Sequence, residues 1–187
     1  MITDERMHEM ADALASVDGV VGVVLGGSRA RGAHTADSDV DLGVYYRTGL
    51  DLPRLRRLAS QFSQLPTEVT DPGGWGPWVD GGGWLRVDGF AVDWILRDVD
   101  RVEAQWLRAQ HGEYAFHAQP GHPMGFLDVA YPGELALSRI LADRTGRLAR
   151  FQAEVRNYPA PLARAVVEGM WEATFLLDGA RKGAAKG

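Results

Sequence analysis

Leu25-Gly26-Gly27-Ser28-Arg29-Ala30-Arg31-Gly32, followed shortly by Asp37-Ser38-Asp39-Val40-Asp41-Leu42, sets the architecture of this chain. Just before it, Val20 to Leu25 is β-branched and continuously apolar, the pattern of a buried strand. Gly26-Gly27-Ser28 breaks that strand, and Arg29 to Ala33 predicts a short helix. Glycines at a strand end let the backbone turn sharply and let a ligand approach the main chain. A helix opening after them points unpaired N–H groups into the turn. Ser28 adds a hydroxyl, and Arg29 and Arg31 add positive charge. The combination suits a polyphosphate. Arg31 is the better phosphate contact; Arg29 reads equally well as a solvated surface charge. No Gly-Lys-Ser/Thr follows, so this is not a Walker A loop.

The aspartates come next. Val40 to Tyr46 alternates as a second strand, with Asp39, Asp41 and Gly43 on one side and Val40, Leu42 and Val44 on the other. Asp39 and Asp41 therefore project from the same face. Two carboxylates that close raise each other's pKa unless a cation lies between them. Oxygen ligands at this density suit Mg²⁺, which takes a few carboxylates together with substrate phosphates. Alone, a Gly-Gly-Ser is most often a turn and an Asp-x-Asp most often a solvated strand end. Coupled in this order, they form the equipment for phosphoryl or nucleotidyl transfer.

Outward from this core the pattern stays mixed. Thr3 caps a first helix running to about Ser16, with Met7, Met10, Ala11 and Leu14 on one face. Leu52 to Phe62 has helical spacing with Pro53 in the first turn. Glu68 to Thr70 predicts a short strand. Asp71 to Gly83, rich in Gly, Pro and Trp, predicts an ordered loop. Trp75, Trp78 and Trp84 sit around it, either anchoring it to the core or offering rings for stacking. Asp88-Gly89 signals a hairpin between Trp84–Val87 and Phe90–Leu96. Asp100 to Gln110 predicts a helix, and His111 to Pro132 a mostly irregular stretch. Beyond Pro132-Gly133, Leu137, Ile140, Leu141, Leu148, Phe151 and Val155 describe one helical face. Leu162 to Leu177 describe another. The division expected is 1–131 as a mixed α/β part and 132–187 as a helical part.

Composition narrows the classes. The chain has 187 residues, a net charge of −5 and no cysteine. Without cysteine there is no disulfide framework, thiolate metal site or thiol nucleophile. The acidic balance argues against coating nucleic acid, so a polymerase role is disfavoured. No signal peptide or bilayer-length apolar run is evident, which predicts a cytoplasmic protein that does not enter a membrane. The five histidines show no ligand spacing.

Gly27-Ser28, a gap, then Asp39-Val40-Asp41-Leu42 resembles the signature of the DNA polymerase β-like nucleotidyltransferase superfamily. Gly27-Ser28-Arg29-Ala30-Arg31-Gly32 is similar to the variant in its small bacterial members, the antibiotic-modifying and minimal antitoxin-type enzymes. The family pattern has a third carboxylate between apolar residues on a neighbouring strand. Val92-Asp93-Trp94-Ile95 fits it, whereas Asp88 lies in the hairpin turn. The resemblance implies an α+β fold: a nucleotidyltransferase-type mixed sheet with flanking helices, then a C-terminal helical, bundle-like part.

It also implies ATP or another nucleoside triphosphate held at Gly27, Ser28 and Arg31. Two Mg²⁺ ions would sit on Asp39, Asp41 and Asp93. These aspartates would serve a transfer of nucleoside monophosphate to a small-molecule hydroxyl, for instance on an antibiotic. Lys186 is a candidate to reach the triphosphate, and Glu134 a weak candidate for general base. Two alternatives stay open: an antitoxin-like transfer of AMP to a partner protein, and a non-catalytic nucleotide-binding module. The sequence stops soon after its last amphipathic helix. That predicts an acceptor pocket completed by further chain, by a second copy or by another protein.

Overall fold

The computed structural model describes residues 2–35, 37–119 and 122–186. Its centre is a five-stranded mixed sheet in the order β3-β4-β2-β1-β7. The strands are β1 (Val20–Leu25), β2 (Val40–Tyr46), β3 (Gly82–Val87), β4 (Phe90–Asp98) and β7 (Arg139–Ala142). β1 pairs antiparallel with both β2 and β7, and β3 with β4, while β2 and β4 run parallel. Helices cover both faces, and the α+β class expected from the sequence is the one observed.

Alternation along the strands builds two cores. Val23, Leu42, Val44, Val92 and Trp94 face α1 (Asp4–Ala15) and α3 (Leu52–Phe62). On the other face Val21, Val24 and Tyr45 meet α4 (Val99–Ala109), α5 (Ala130–Leu137) and α6 (Arg147–Val155). Local chemistry starts these helices where the sequence places them. Thr3 accepts from the Arg6 N–H and Asp51 from the Arg54 N–H, each supplying an acceptor for an orphan donor of the first turn.

Four local expectations differ. The short helix α2 spans Gly27–Ala30 rather than starting at Arg29. Glu68 to Thr70 is not a strand; it runs extended and is tied to β3 by the Thr70 N–H donating to the Gly82 carbonyl, 2.9 Å. Within His111–Pro132, expected to be irregular, β5 (Phe116–Gln119) and β6 (His122–Leu127) form a separate two-stranded sheet. Pro123 falls within β6, and a two-stranded sheet offers the edge positions that tolerate it. The face read as helical across Leu137–Val155 is interrupted by β7. Ile140 and Leu141 fit a helical stripe, yet the free edge of β1 takes their backbone groups into the sheet.

The last helix, α7 (Ala160–Ala184), buries only Leu162 fully. Its Val167, Met170, Trp171, Phe175, Leu176 and Leu177 are all exposed. Among the described residues, no helix is long and apolar enough to cross a membrane.

Candidate active site

The parallel pairing of β2 with β4 sets Asp41 opposite Asp93. Paired residues leave the same face of a sheet, and Asp39, two before Asp41, joins them. One carboxylate oxygen from each lies within 4.8 Å of the others. Three hard oxygen donors converging this closely fit Mg²⁺ and offer nothing to a softer metal.

The electrostatics carry the mark of this crowding. Burial raises the Asp41 carboxyl above the ordinary range, and Asp39 and Glu134 push the same way, against Arg31 and Arg97. Asp93 is pushed up to about 6, first by burial and then by the charges of Asp41 and Asp39. A cation among the three would remove the conflict.

The glycine turn is built against this cluster. Gly27 adopts φ 60°, the left-handed region, and a Cβ there would collide with the Asp41 carboxylate. The Gly26 N–H donates to the Asp41 carbonyl, 2.8 Å. Ser28 follows in α2, half-buried. Arg31, just after α2, is exposed and lines the adjoining cleft.

Arg29 corrects the sequence reading. It is not a solvated charge. It is buried, and its guanidinium donates from Nε to the Asp39 carbonyl, 2.8 Å, and from Nη2 to the Ser38 carbonyl, 2.7 Å. It braces the loop that presents Asp39. Only the tertiary fold reveals this role, because the charge pattern alone makes Arg29 and Arg31 look alike.

The cleft has a volume of about 430 Å³. Gly27, Ala30 and Arg31 form one side of it, Asp41, Gly43, Tyr45 and Ile95 the floor, and Gly133, Glu134 and Leu137 of α5 the opposite wall. Glu134 thus reaches the site, but its carboxylate is engaged. The Arg97 guanidinium donates to it from Nε, 3.0 Å, and from Nη2, 3.1 Å, and lies over the Tyr131 ring. Arg97 is buried, so Glu134 locks α5 to β4. Lys186 lies past the end of α7, exposed, and does not line the cleft.

The three tryptophans around the Gly-rich loop divide. Trp78 anchors the loop, stacking on Tyr131 and His117 at the edge of the second core. Trp75 and Trp84 stack on each other, centroids 4.5 Å apart.

Residues 7–69 match a family model described as a nucleotidyltransferase domain. The matched segment holds Gly27, Ser28, Asp39 and Asp41, and Asp93 lies outside it, joined to the cluster by strand pairing. A sequence search of curated proteins gave no match. A glycine-serine turn pressed onto Asp41, and the match across that very turn, make this part of the chain a nucleotidyltransferase domain of the DNA polymerase β-like superfamily.

Proposed function

We propose that the chain transfers a nucleoside monophosphate from a nucleoside triphosphate, ATP in the first instance, to a hydroxyl of a small-molecule acceptor. One observation carries the reading: the Asp39, Asp41 and Asp93 oxygens converge beside the left-handed turn at Gly27. Asp39, Asp41 and Asp93 would hold two Mg²⁺ ions, which would supply charge neutralisation on the phosphates and polarise the reacting oxygens. Gly27 and Ser28 carry the triphosphate against the turn, and Arg31 offsets its charge from the cleft side. The acceptor oxygen bonds to the α-phosphorus as the bond to the β-phosphate bridge breaks. Pyrophosphate leaves with the electron pair, and the hydroxyl proton passes to Asp93. We place the reaction in the cytoplasm, where the triphosphate and Mg²⁺ are supplied. An antibiotic is one class of acceptor that would fit.

The test is Mg²⁺-dependent pyrophosphate release over a broad panel of hydroxyl acceptors. Wild type should turn over with at least one of them, and Asp39→Asn should abolish it. No stimulation by any acceptor, with the triphosphate bound, would favour a non-catalytic nucleotide-binding module.

A second reading, transfer of AMP to a partner protein, draws on the exposed apolar side chains of α7, Trp171 and Phe175 among them. Such patches commonly mark protein contacts, here with another protein or a second copy. Intact mass spectrometry of co-purified proteins after incubation with ATP and Mg²⁺ separates the two: an added nucleotidyl mass supports this reading.

A further inference from the structure

The strand order β3-β4-β2-β1 sets four features in a row on one face of the sheet. Gly27 follows β1, Asp41 stands on β2, Asp93 on β4 and Trp84 on β3. Trp84 is the register partner of Asp93. Their side chains therefore leave the same face, with Cβ atoms about 5 Å apart.

Trp84 is 65% exposed, an unusual position for so large an apolar ring. Yet the ring is held. It stacks on Trp75 at 23° between planes. Trp75 is fixed in turn: its backbone N–H donates to the Asp80 carbonyl, 3.0 Å, and its ring edge lies beside Gly82, the first residue of β3. Asp80 is itself buried, accepting from the Tyr46 hydroxyl and from the Gly73 N–H, 2.9 Å. A rigid, exposed indole beside a reactive centre is a surface prepared to receive another ring.

In-line displacement says which ring. Attacking and leaving oxygens lie on opposite sides of the α-phosphorus. The pyrophosphate side is the Gly27 turn, so the attacking hydroxyl comes from the far side of the carboxylates. Strands are spaced about 4.8 Å, which puts Trp84 one strand beyond Asp93 on that side. The cleft runs along the strands past Tyr45 and Ile95, and a nucleoside carried on the α-phosphorus would enter it across this axis. The indole is therefore on the acceptor's path and off the nucleobase's.

We propose that Trp84, backed by Trp75, is the acceptor platform, and that it takes a small molecule whose hydroxylated ring stacks its flat C–H face on the indole. The proposal rests on the nucleotidyl-transfer reading above and names its acceptor class.

Saturation-transfer NMR with methyl β-D-glucopyranoside and phenyl β-D-glucopyranoside tests it. Samples contain Mg²⁺ and an α,β-methylene ATP analogue, and binding of the analogue is followed separately by ³¹P line broadening. Wild type should saturate the ring C–H protons of both probes. Trp84→Ala should weaken probe binding about tenfold, the scale of losing one stacking partner, with analogue binding unchanged. Trp84→Phe should restore most of it. Probe signals absent from wild type, or equal in wild type and Trp84→Ala, overturn the platform while analogue binding keeps the transferase reading. Loss of analogue binding in Trp84→Ala assigns the indole to the nucleobase and also overturns the proposal. Failure of the analogue to bind wild type overturns both readings.

Discussion

Gly27 meets two demands with one missing atom: a left-handed backbone and room for the Asp41 carboxylate. Any side chain there strains the turn and displaces the carboxylate together. Gly27→Ala should lower transfer by about 100-fold or more, the scale of a misplacement near 1 Å. A Mg²⁺ titration should weaken in parallel while circular dichroism stays native. Arg29 acts through the backbone of the Asp39 loop. Arg29→Ala should cost about 2 kcal/mol in urea unfolding, as expected for lost hydrogen bonds from a charged donor. Arg29→Lys should recover part of that. The raised Asp93 pKa fixes a sign for pH. An acid whose folded pKa is raised favours the neutral form in the fold. The stability it contributes is present below its unfolded value and is lost as pH rises through about 6. A divalent cation on the three aspartates would need the ionised set, so stabilisation by Mg²⁺ should grow through the same window. Melting curves with and without Mg²⁺, from about pH 4.5 to about pH 7.5, check this; a Mg²⁺ effect independent of pH would contradict the assignment.

At the scale of elements, the joint between β4 and α5 is the Arg97–Glu134 pair under Tyr131. Glu134→Ala leaves a buried guanidinium short of its partner and should cost about 1–3 kcal/mol, less than a fully buried pair because Glu134 is half in solvent. Thermal melting reads it directly, and Glu134→Gln should lose less. β1, β2 and the β3–β4 hairpin were legible in the sequence because each carries its own periodicity and punctuation. Asp88-Gly89 alone predicts the hairpin that delivers Asp93. β7 was not legible. Four apolar-leaning residues with helical spacing on either side become a strand only because β1 has an unpaired edge. Asp39 and Asp41 could be read as neighbours from alternation. Their meeting with Asp93 is a parallel pairing, which no local pattern encodes. Arg29 and Trp84 were ambiguous for the same reason: their roles belong to what other strands bring beside them.

The whole molecule is unevenly secured. The sheet is packed on both faces, whereas α7 is held mainly at its start. Leu162 is buried, and the Tyr114 hydroxyl donates to the Ala165 carbonyl. Val166 also packs against the second core, and from Val167 onward the large apolar side chains of the helix are exposed. Hydrogen exchange on dilute protein should therefore be fast from Met170 onward and slow in β1, β2 and β4. Protection of the α7 amides instead would mean that a partner or second copy covers it in solution. The parallel register of β2 and β4 also has a consequence in time. A ribosome releases Asp39 and Asp41 about fifty residues before Asp93. A nascent chain at that stage owns a two-carboxylate site, and the third arrives only when β4 has found its place beside β2, a distant pairing of the kind that forms slowly. A slip of one residue would turn Asp93 to the far face and bring Trp94 outward. Cation binding by all three aspartates would thus be a certificate of assembly: it would distinguish finished, correctly registered molecules from those still searching.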